Sequence, residues 1–341
     1  MRVRLASAAL AIVGAVGALY TARVAAARIE GNPDPFPRGR LTAEPDGEEV
    51  FISRPDGTVL RAMVAGDGPT VILTHGYCLT LGQWNIVWDE LVSRGHRVIA
   101  FDQRGHGRST LGSAGIGSEP MTADYAAVLE HFDVRDGVLV GHSMGGFVAI
   151  RAVLDHPDVA WRLRGLVLCA TWAGRILDGA PQNRLQGPLL ESGVLRWLVR
   201  NRTIGVLFGA FQCGTRPSPT MISVFLEVFV QHLQQHGPLP EIVRASVRED
   251  RYPRLAEIAV PTVVMVGWFC GSHHATDSLQ TARRRRTRCT DGDRARRRAP
   301  AELGGARHIG RGRHVVPPVA RAGGGRRKPS ERRRGVTTCG R

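Results

Sequence analysis

Gly137-Val-Leu-Val-Gly-His-Ser-Met-Gly-Gly-Phe-Val-Ala-Ile150 is the stretch that decides the fold. A short apolar run leads into Gly141-His-Ser-Met-Gly145, and an amphipathic segment leaves it. This pattern predicts a buried strand, a tight turn and a helix that begins at Ser143. The two small glycines permit the turn, which lifts the Ser143 hydroxyl clear of the sheet. The Met144 backbone N–H then points into the same space, beside the positive end of the helix.

Alternating strands and helices are predicted on both sides of this turn. The predicted strands cover 48–53, 58–64, 69–74, 96–101, 137–140, 163–170 and 261–266, and helices are predicted at 83–94, 122–132 and 143–156. The order predicts an α/β fold with a mostly parallel sheet that helices cover on both faces. The segment 173–250 is too long for a simple crossover, so we expect a helical lid inserted after the sixth strand.

Two further motifs directly follow predicted strands. His75-Gly-Tyr77 follows the strand at 69–74, and Phe101-Asp-Gln-Arg-Gly-His-Gly-Arg-Ser109 follows the strand at 96–101. With the Ser143 turn, they resemble the α/β-hydrolase superfamily over about Glu48 to Gly267. The nearest resemblance is to the branch that holds lidded serine esterases, cofactor-free haloperoxidases and carbon–carbon-bond hydrolases.

The resemblance implies roles for individual residues. Ser143 would be the nucleophile, and the backbone N–H groups of Tyr77 and Met144 would form the oxyanion hole. Arg104 and the glycines around it would brace the loops near the nucleophile, whereas Asp102 would be structural rather than a catalytic acid. His106 and His142 are likewise expected to be packing residues rather than bases. No cofactor and no metal are implied.

A serine at this turn favours acyl chemistry. The epoxide hydrolases and haloalkane dehalogenases of the superfamily carry an aspartate at the corresponding position. Ser143 therefore indicates attack on an ester, a thioester or an activated carbonyl, followed by hydrolysis of an acyl-enzyme.

The acid and the base of the expected triad are not obvious in the sequence. The family places the acid in a Gly-x-x-Asp setting after the strand that matches 261–266, and the histidine in a later Gly-x-Gly-His turn. Here Gly267 is followed by Trp268-Phe-Cys270, so a cysteine occupies the acid position. Asp277 is the nearest acid. His314 is the histidine whose surroundings best match the family turn, and His308 is an alternative.

The C-terminal tail carries the charge of the chain. The net charge is +16, yet residues 281–341 alone hold 19 arginines and one lysine against four acidic residues, so the rest of the chain is neutral. No specific nucleic-acid binding is therefore expected of the folded part. Residues 281–341 show neither helical nor strand periodicity, which predicts a disordered Arg/Gly-rich tail at 271–341. A reading-frame change near Trp268 is an alternative, because a one-base shift there permits a Gly-Ser-Ala-Asp sequence.

The N-terminal segment has the composition of an export or anchoring signal. Arg2 and Arg4 precede an uncharged stretch from Leu5 to Ala22, and such a helix would span roughly 27 Å. Ala25-Ala-Ala27 offers small residues for cleavage. We therefore predict a signal peptide or membrane anchor at 1–27 and a protein that is membrane-anchored or exported. The remaining predicted divisions are a linker (28–47), the hydrolase core (48–172), the lid (173–250), a last core strand (251–270) and the tail (271–341).

The sequence thus predicts a serine hydrolase that cleaves an ester or thioester of an apolar small molecule or a lipid. Large apolar side chains of the lid are expected to pack its helices together and to line a cleft above the nucleophile. They are Leu195, Trp197, Leu198, Val206, Leu207, Phe208, Phe211, Met221, Phe225, Phe229 and Leu233. Two alternatives stay open: a carbon–carbon-bond hydrolase or haloperoxidase on the same scaffold, and a catalytically impaired protein whose basic tail binds nucleic acid or anionic lipid.

Overall fold

Seven strands form one sheet in the part of the chain that the structure describes. The structure, a computed structural model, describes residues 2–179, 188–189, 192–214, 216–236 and 241–266. The strands are β1 (Glu48–Ser53), β2 (Val59–Ala65), β3 (Thr70–Thr74), β4 (Arg97–Phe101), β5 (Gly137–His142), β6 (Leu163–Cys169) and β7 (Thr262–Met265). Each lies within about two residues of a predicted strand.

Helices precede, flank and interrupt the sheet. Before β1 lie α1 (Arg2–Glu30) and α2 (Arg38–Thr42), and among the strands up to β6 lie α3 (Asn85–Ser93), α4 (Ser118–His131), α5 (Met144–Asp155) and α6 (Pro157–Trp161). Between β6 and β7 lie α7 (Ile176–Gly179), α8 (Val194–Leu198), α9 (Arg202–Gln212), α10 (Pro219–His236) and α11 (Glu241–Arg248). Short 3₁₀ turns occupy Leu81–Trp84 and Tyr252–Glu257. The helices between β6 and β7 form the lid that the sequence predicts.

The sheet order brings three loops to one edge. The strands lie in the order β1-β2-β4-β3-β5-β6-β7; β1 and β2 are antiparallel to their neighbours, and the others are parallel. Leu73 of β3 pairs with Val140 of β5. Because parallel strands end at the same edge, the loops after β3, β4 and β5 lie side by side there.

The two faces of the sheet bury separate clusters. On one face, Trp84 and Trp88 of the segment before β4 pack against Val71, Leu73 and Val98. On the other face, α4 and α5 pack against the same central strands through residues that include Tyr125 and Phe147. Both faces of β3 and β4 are therefore buried, which explains their continuous apolar sequences.

Helix α4 begins four residues before its predicted start. It runs from Ser118 rather than from Thr122, and Pro120 lies in its first turn. Proline is tolerated there because the first N–H groups of a helix have no intrahelical acceptor. Residues 118–120 include no large apolar side chain, so the apolar spacing of the sequence does not reveal this turn.

The N-terminal segment forms more regular structure than the sequence suggests. A single helix of 29 residues covers the expected signal or anchor, and α2 lies within the expected linker. Among the described residues, no helix is both long and apolar enough to cross a membrane. The predicted tail at 271–341 lies outside the described residues.

Candidate active site

Ser143 has a backbone conformation that is costly for a residue with a side chain. Its φ is 52° and its ψ is −118°, at the junction of β5 and α5. Such conformations cost about 1–3 kcal/mol and persist where surrounding contacts enforce them. Here the Ser143 N–H donates to the Cys169 carbonyl at 2.9 Å, and the Ser143 carbonyl accepts from Gly146 N at 3.0 Å. The Thr171 hydroxyl also donates to that carbonyl, at 2.6 Å.

The glycines of the turn are required by close backbone approach. A Cβ at Gly141 would lie 2.6 Å from the Gly146 Cα, and a Cβ at Gly146 would lie 2.6 Å from Thr171 Oγ1. A Cβ at Gly145 would lie 2.7 Å from the carbonyl oxygens of Thr74 and His75. The strand-to-helix turn therefore fits against its neighbours only without side chains at these positions, as the sequence predicts for Gly141 and Gly145.

The loop after β3 approaches the nucleophile. A Cβ at Gly76 would lie 3.2 Å from the Ser143 Cβ, so the backbone before Tyr77 lies directly beside the turn. The Gly76 N–H donates to Gln83 Oε1 at 3.1 Å, whereas the Tyr77 N–H makes no hydrogen bond to any residue that the structure describes. Met144 is the first residue of α5, where an N–H has no intrahelical acceptor. Two backbone donors thus lie near Ser143.

A buried hydrogen-bond network connects the three motif loops. The Gln103 N–H donates to His75 Nε2 at 3.0 Å, and the Gln103 side-chain amide donates to the His75 carbonyl at 2.6 Å. The Tyr125 hydroxyl lies 3.0 Å from both Gln103 Oε1 and the Gly145 carbonyl. Since His75 Nε2 accepts, its Nδ1 carries the proton and donates to the Gly76 carbonyl at 2.8 Å. Burial lowers the pKa of His75, which keeps this arrangement neutral.

Asp102 and Arg104 hold the loop after β4 in place. The Asp102 carboxylate accepts from the backbone N–H groups of Leu81 at 2.8 Å and Arg108 at 3.0 Å, and no part of its side chain is exposed. The Arg104 guanidinium donates to both carboxylate oxygens of Asp124, at 2.6 and 2.7 Å. These contacts agree with the structural roles expected for Asp102 and Arg104.

The lid packs directly on the loop that carries Tyr77. Cys78 is fully buried in a cluster with Leu195 and Phe229 of the lid. The Tyr77 ring meets the His232 ring of α10 edge to face, with centroids 5.0 Å apart. The ring of His232 also stacks on the ring of His106 at 4.2 Å. The position of the lid is therefore coupled to that of the loop beside the nucleophile.

His142 contributes a neutral imidazole next to the nucleophile. Its Nδ1 is buried without a hydrogen-bond partner among the described residues, and its ring lies edge to face with Trp84 at 6.4 Å. Burial, reinforced by the neighbouring His75, lowers the pKa of His142 to about 4. The imidazole is therefore uncharged at neutral pH, which suits packing rather than proton transfer.

The low pKa of His142 predicts a pH dependence of stability. In the unfolded chain the pKa is about 6.5, so the unfolded chain binds more protons between pH 6.5 and 4, and the free energy of unfolding falls as the pH is lowered through that window. Between pH 7 and pH 5, the free energy of unfolding of His142→Phe is expected to fall by about 1–2 kcal/mol less than that of the wild type. Chemical denaturation at both pH values measures this. His131→Phe, at an exposed histidine, controls for the exchange itself; identical pH dependence in His142→Phe and wild type would contradict the assignment.

The structure brings together part of the predicted site. Ser143, Tyr77 and Met144 lie together, whereas Asp277, His308 and His314 lie outside the described residues. Within the described ranges, no group of histidine, cysteine and acidic side chains could hold a metal ion. Sequence reasoning missed Gln103, Tyr125 and Thr171 as supports of the turn. Gln103 lies inside a recognised motif, but Tyr125 and Thr171 carry no local signal.

The chain is similar to known proteins over most of the described part. A family model described as alpha/beta hydrolase fold matches residues 69–203. A non-heme haloperoxidase from Rhodococcus erythropolis is 42% identical over 227 residues, which cover 64% of this chain and 80% of that protein. A non-heme chloroperoxidase from Burkholderia pyrrocinia is 38% identical over 208 residues, covering 59% and 74%. The enol-lactonase from Burkholderia xenovorans superposes with a TM-score of 0.55 at 22% identity, covering 68% and 87%.

Proposed function

The chain belongs to the α/β-hydrolase family and is a hydrolase, and from that premise we propose that Ser143 attacks the carbonyl of an ester or thioester. The observation that carries the proposal is the enforced backbone of Ser143, with φ at 52° at the end of β5. This conformation presents a side chain at the strand edge where the loops after β3 and β4 meet. A serine has no evident structural need for it.

Tyr77 and Met144 are proposed as the oxyanion donors. The tetrahedral intermediate places a negative charge on the former carbonyl oxygen, and two converging N–H groups would stabilise it. The close approach of Gly76 to Ser143 and the position of Met144 at the start of α5 support this role. Loss of one such donor typically costs about 10²–10³ in rate.

The proposed reaction has two steps. A base removes the Ser143 proton while the oxygen attacks the carbonyl; the alcohol or thiol then leaves with a proton, and an acyl-enzyme remains. Water, deprotonated by the same base, releases the acid and restores the serine. We propose His314 as the base and Asp277 as its acid partner, on sequence grounds alone. His75 is unsuited to the role, because both its ring nitrogens are bonded within the loops.

An apolar acyl group or a lipid is the proposed substrate. Phe208, Phe225 and Phe229 form a ring cluster within the lid, with centroids 5.2 to 6.0 Å apart. Apolar lid residues that include Leu195 and Phe229 pack with Cys78 beside the His232 ring. A substrate held between this loop and the lid would therefore meet hydrocarbon surface, which favours an apolar acyl chain.

Membrane association through the N-terminal helix is also proposed. In this helix, the side chains of residues 14–20 are all exposed. Among them, Val16, Leu19 and Tyr20 are large and apolar. Exposed apolar surface of this kind marks protein or membrane contacts. The proposal places the enzyme at the cell envelope, either anchored or exported.

Haloperoxidase activity is the second candidate function. The relatives at 42% and 38% identity carry that description, and a carbon–carbon-bond hydrolase remains an alternative on the same scaffold.

An esterase should hydrolyse p-nitrophenyl esters, with a preference for longer acyl chains, and Ser143→Ala should abolish this turnover. Halogenation of a phenolic dye with peroxide and bromide, in the absence of ester turnover, would favour the second candidate. Inactivity of the wild type on both substrate classes would favour a catalytically impaired protein.

A further inference from the structure

The N-terminal helix is attached to the lid. The C-terminal half of α1 packs along α9 and buries Ala26, which is 4% exposed. The Glu30 carboxylate accepts from Arg202 Nε at 2.7 Å. Beyond the helix, Asp34 accepts from the backbone N–H of Thr220 at 3.2 Å and from its hydroxyl at 2.6 Å, so Asp34 caps the start of α10. Any surface that binds α1 therefore also lies next to the lid.

Earlier in α1, the helix is exposed over the residues whose side chains the structure describes. Seven consecutive residues, 14–20, are exposed, which is about two full turns of the helix. Val16, Leu19 and Tyr20 are 61%, 51% and 69% exposed. A helix that is apolar on all sides is stable in a protein core or in lipid rather than in water. The described part of the chain offers it no core.

A cleft lies where α1 meets the lid. It has a volume of about 500 Å³, and Glu30 of α1 and Arg202 at the start of α9 are among the residues that line it. Its floor is hydrocarbon from Val206, Ile222 and Leu226. An apolar floor with a polar rim suits an amphiphile, because both parts of the ligand find matching surface.

The charge on the rim favours an anion. Arg200 and Arg202 line the cleft, and Glu30 is the one acidic residue among those that line it. Arg202 is paired with Glu30, whereas Arg200 is exposed and forms no ion pair with any residue described by the structure. Arg196, one turn before Arg200, is also exposed. A guanidinium without a partner above an apolar floor is suited to a phosphate with attached hydrocarbon.

We propose that this cleft binds the head group of an anionic phospholipid when the exposed part of α1 lies in a membrane surface, so that the lid faces the bilayer. The inference rests on the proposed membrane association and adds its lipid preference and the orientation of the lid. Each arginine close to an anionic surface contributes about 1 kcal/mol, or roughly fivefold in affinity. The head group would contact Arg200, while Arg202 keeps its pair with Glu30.

Flotation of the full chain with lipid vesicles tests the proposal. The wild type is mixed with vesicles of phosphatidylcholine alone, or of phosphatidylcholine with phosphatidylglycerol. We expect binding to both, with higher affinity for the mixed vesicles. Arg200→Gln should lower the affinity for the mixed vesicles about fivefold and leave binding to phosphatidylcholine unchanged. Arg135→Gln, at an arginine 80% exposed beyond α4, is the matched control and should change neither.

A second variant separates the cleft from the membrane association itself. Leu19→Ser should weaken binding to both kinds of vesicle. Leu111→Ser, at an exposed leucine in the hydrolase domain away from α1, should not. Equal affinity of wild type and Arg200→Gln for the mixed vesicles would overturn the cleft assignment and leave membrane association in place. Failure of the wild type to float with either vesicle would overturn both.

Discussion

Replacing Ser143 with alanine is expected to lower ester hydrolysis by about 10³-fold or more while the fold is retained. The hydroxyl is the proposed nucleophile, and loss of the serine from a serine hydrolase removes the acyl-enzyme route altogether. Alanine leaves the N–H and carbonyl contacts of residue 143 with Cys169 and Gly146 in place, so thermal unfolding should change little. Turnover of p-nitrophenyl butyrate gives the kinetic readout.

A second serine provides the control for this exchange. Ser113 is exposed, and its hydroxyl contacts the Asp56 carbonyl at 3.3 Å, away from the turn. Ser113→Ala should retain wild-type turnover. If Ser143→Ala were as active as Ser113→Ala, Ser143 would not be the nucleophile.

Gly145→Ala is expected to damage the site through the backbone. The new methyl group would lie 2.7 Å from the carbonyl oxygens of Thr74 and His75, below any ordinary carbon–oxygen contact. Because both obstacles are backbone atoms, the turn and the Tyr77 loop must separate. Overpacking of this kind costs about 1–3 kcal/mol, and a displacement of about 1 Å at the reacting groups can cost about 10²-fold in rate.

Kinetics and thermal unfolding together measure the effect of Gly145→Ala. We expect kcat/KM to fall about 100-fold and the unfolding temperature to decrease. Gly39→Ala is the matched control, because a Cβ at Gly39 would meet nothing within 4 Å. Unchanged kcat/KM in Gly145→Ala would show that the loops are not in the close contact described.

The sheet and the turn were predictable because their signals are local. The central strands are short, mainly apolar runs, and the glycines at 141 and 145 lie two residues on either side of the residue with the unusual backbone. The pattern of three motifs at strand ends then identified the fold. The start of α4 was mislocated because its first turn is polar and contains Pro120, so apolar spacing could not reveal it.

The supporting contacts were not predictable from the sequence because they join distant residues. Tyr125 reaches the Gly145 carbonyl across 20 residues, and Thr171 reaches the Ser143 carbonyl across 28. Glu30 and Arg202, which connect α1 to the lid, are 172 residues apart. Such pairs arise from the packing of whole elements, and no local pattern of residues encodes them.

The assignment of Ser143 as the nucleophile is tested most directly by covalent labelling. A fluorophosphonate reacts with an activated serine, and mass spectrometry of the digested protein locates the adduct. We predict one phosphonylated residue, Ser143, and no adduct either in Ser143→Ala or in wild type that is heat-denatured before the probe is added. An enzyme that hydrolyses esters while Ser143 stays unlabelled, or that carries the adduct on another serine, would contradict the account.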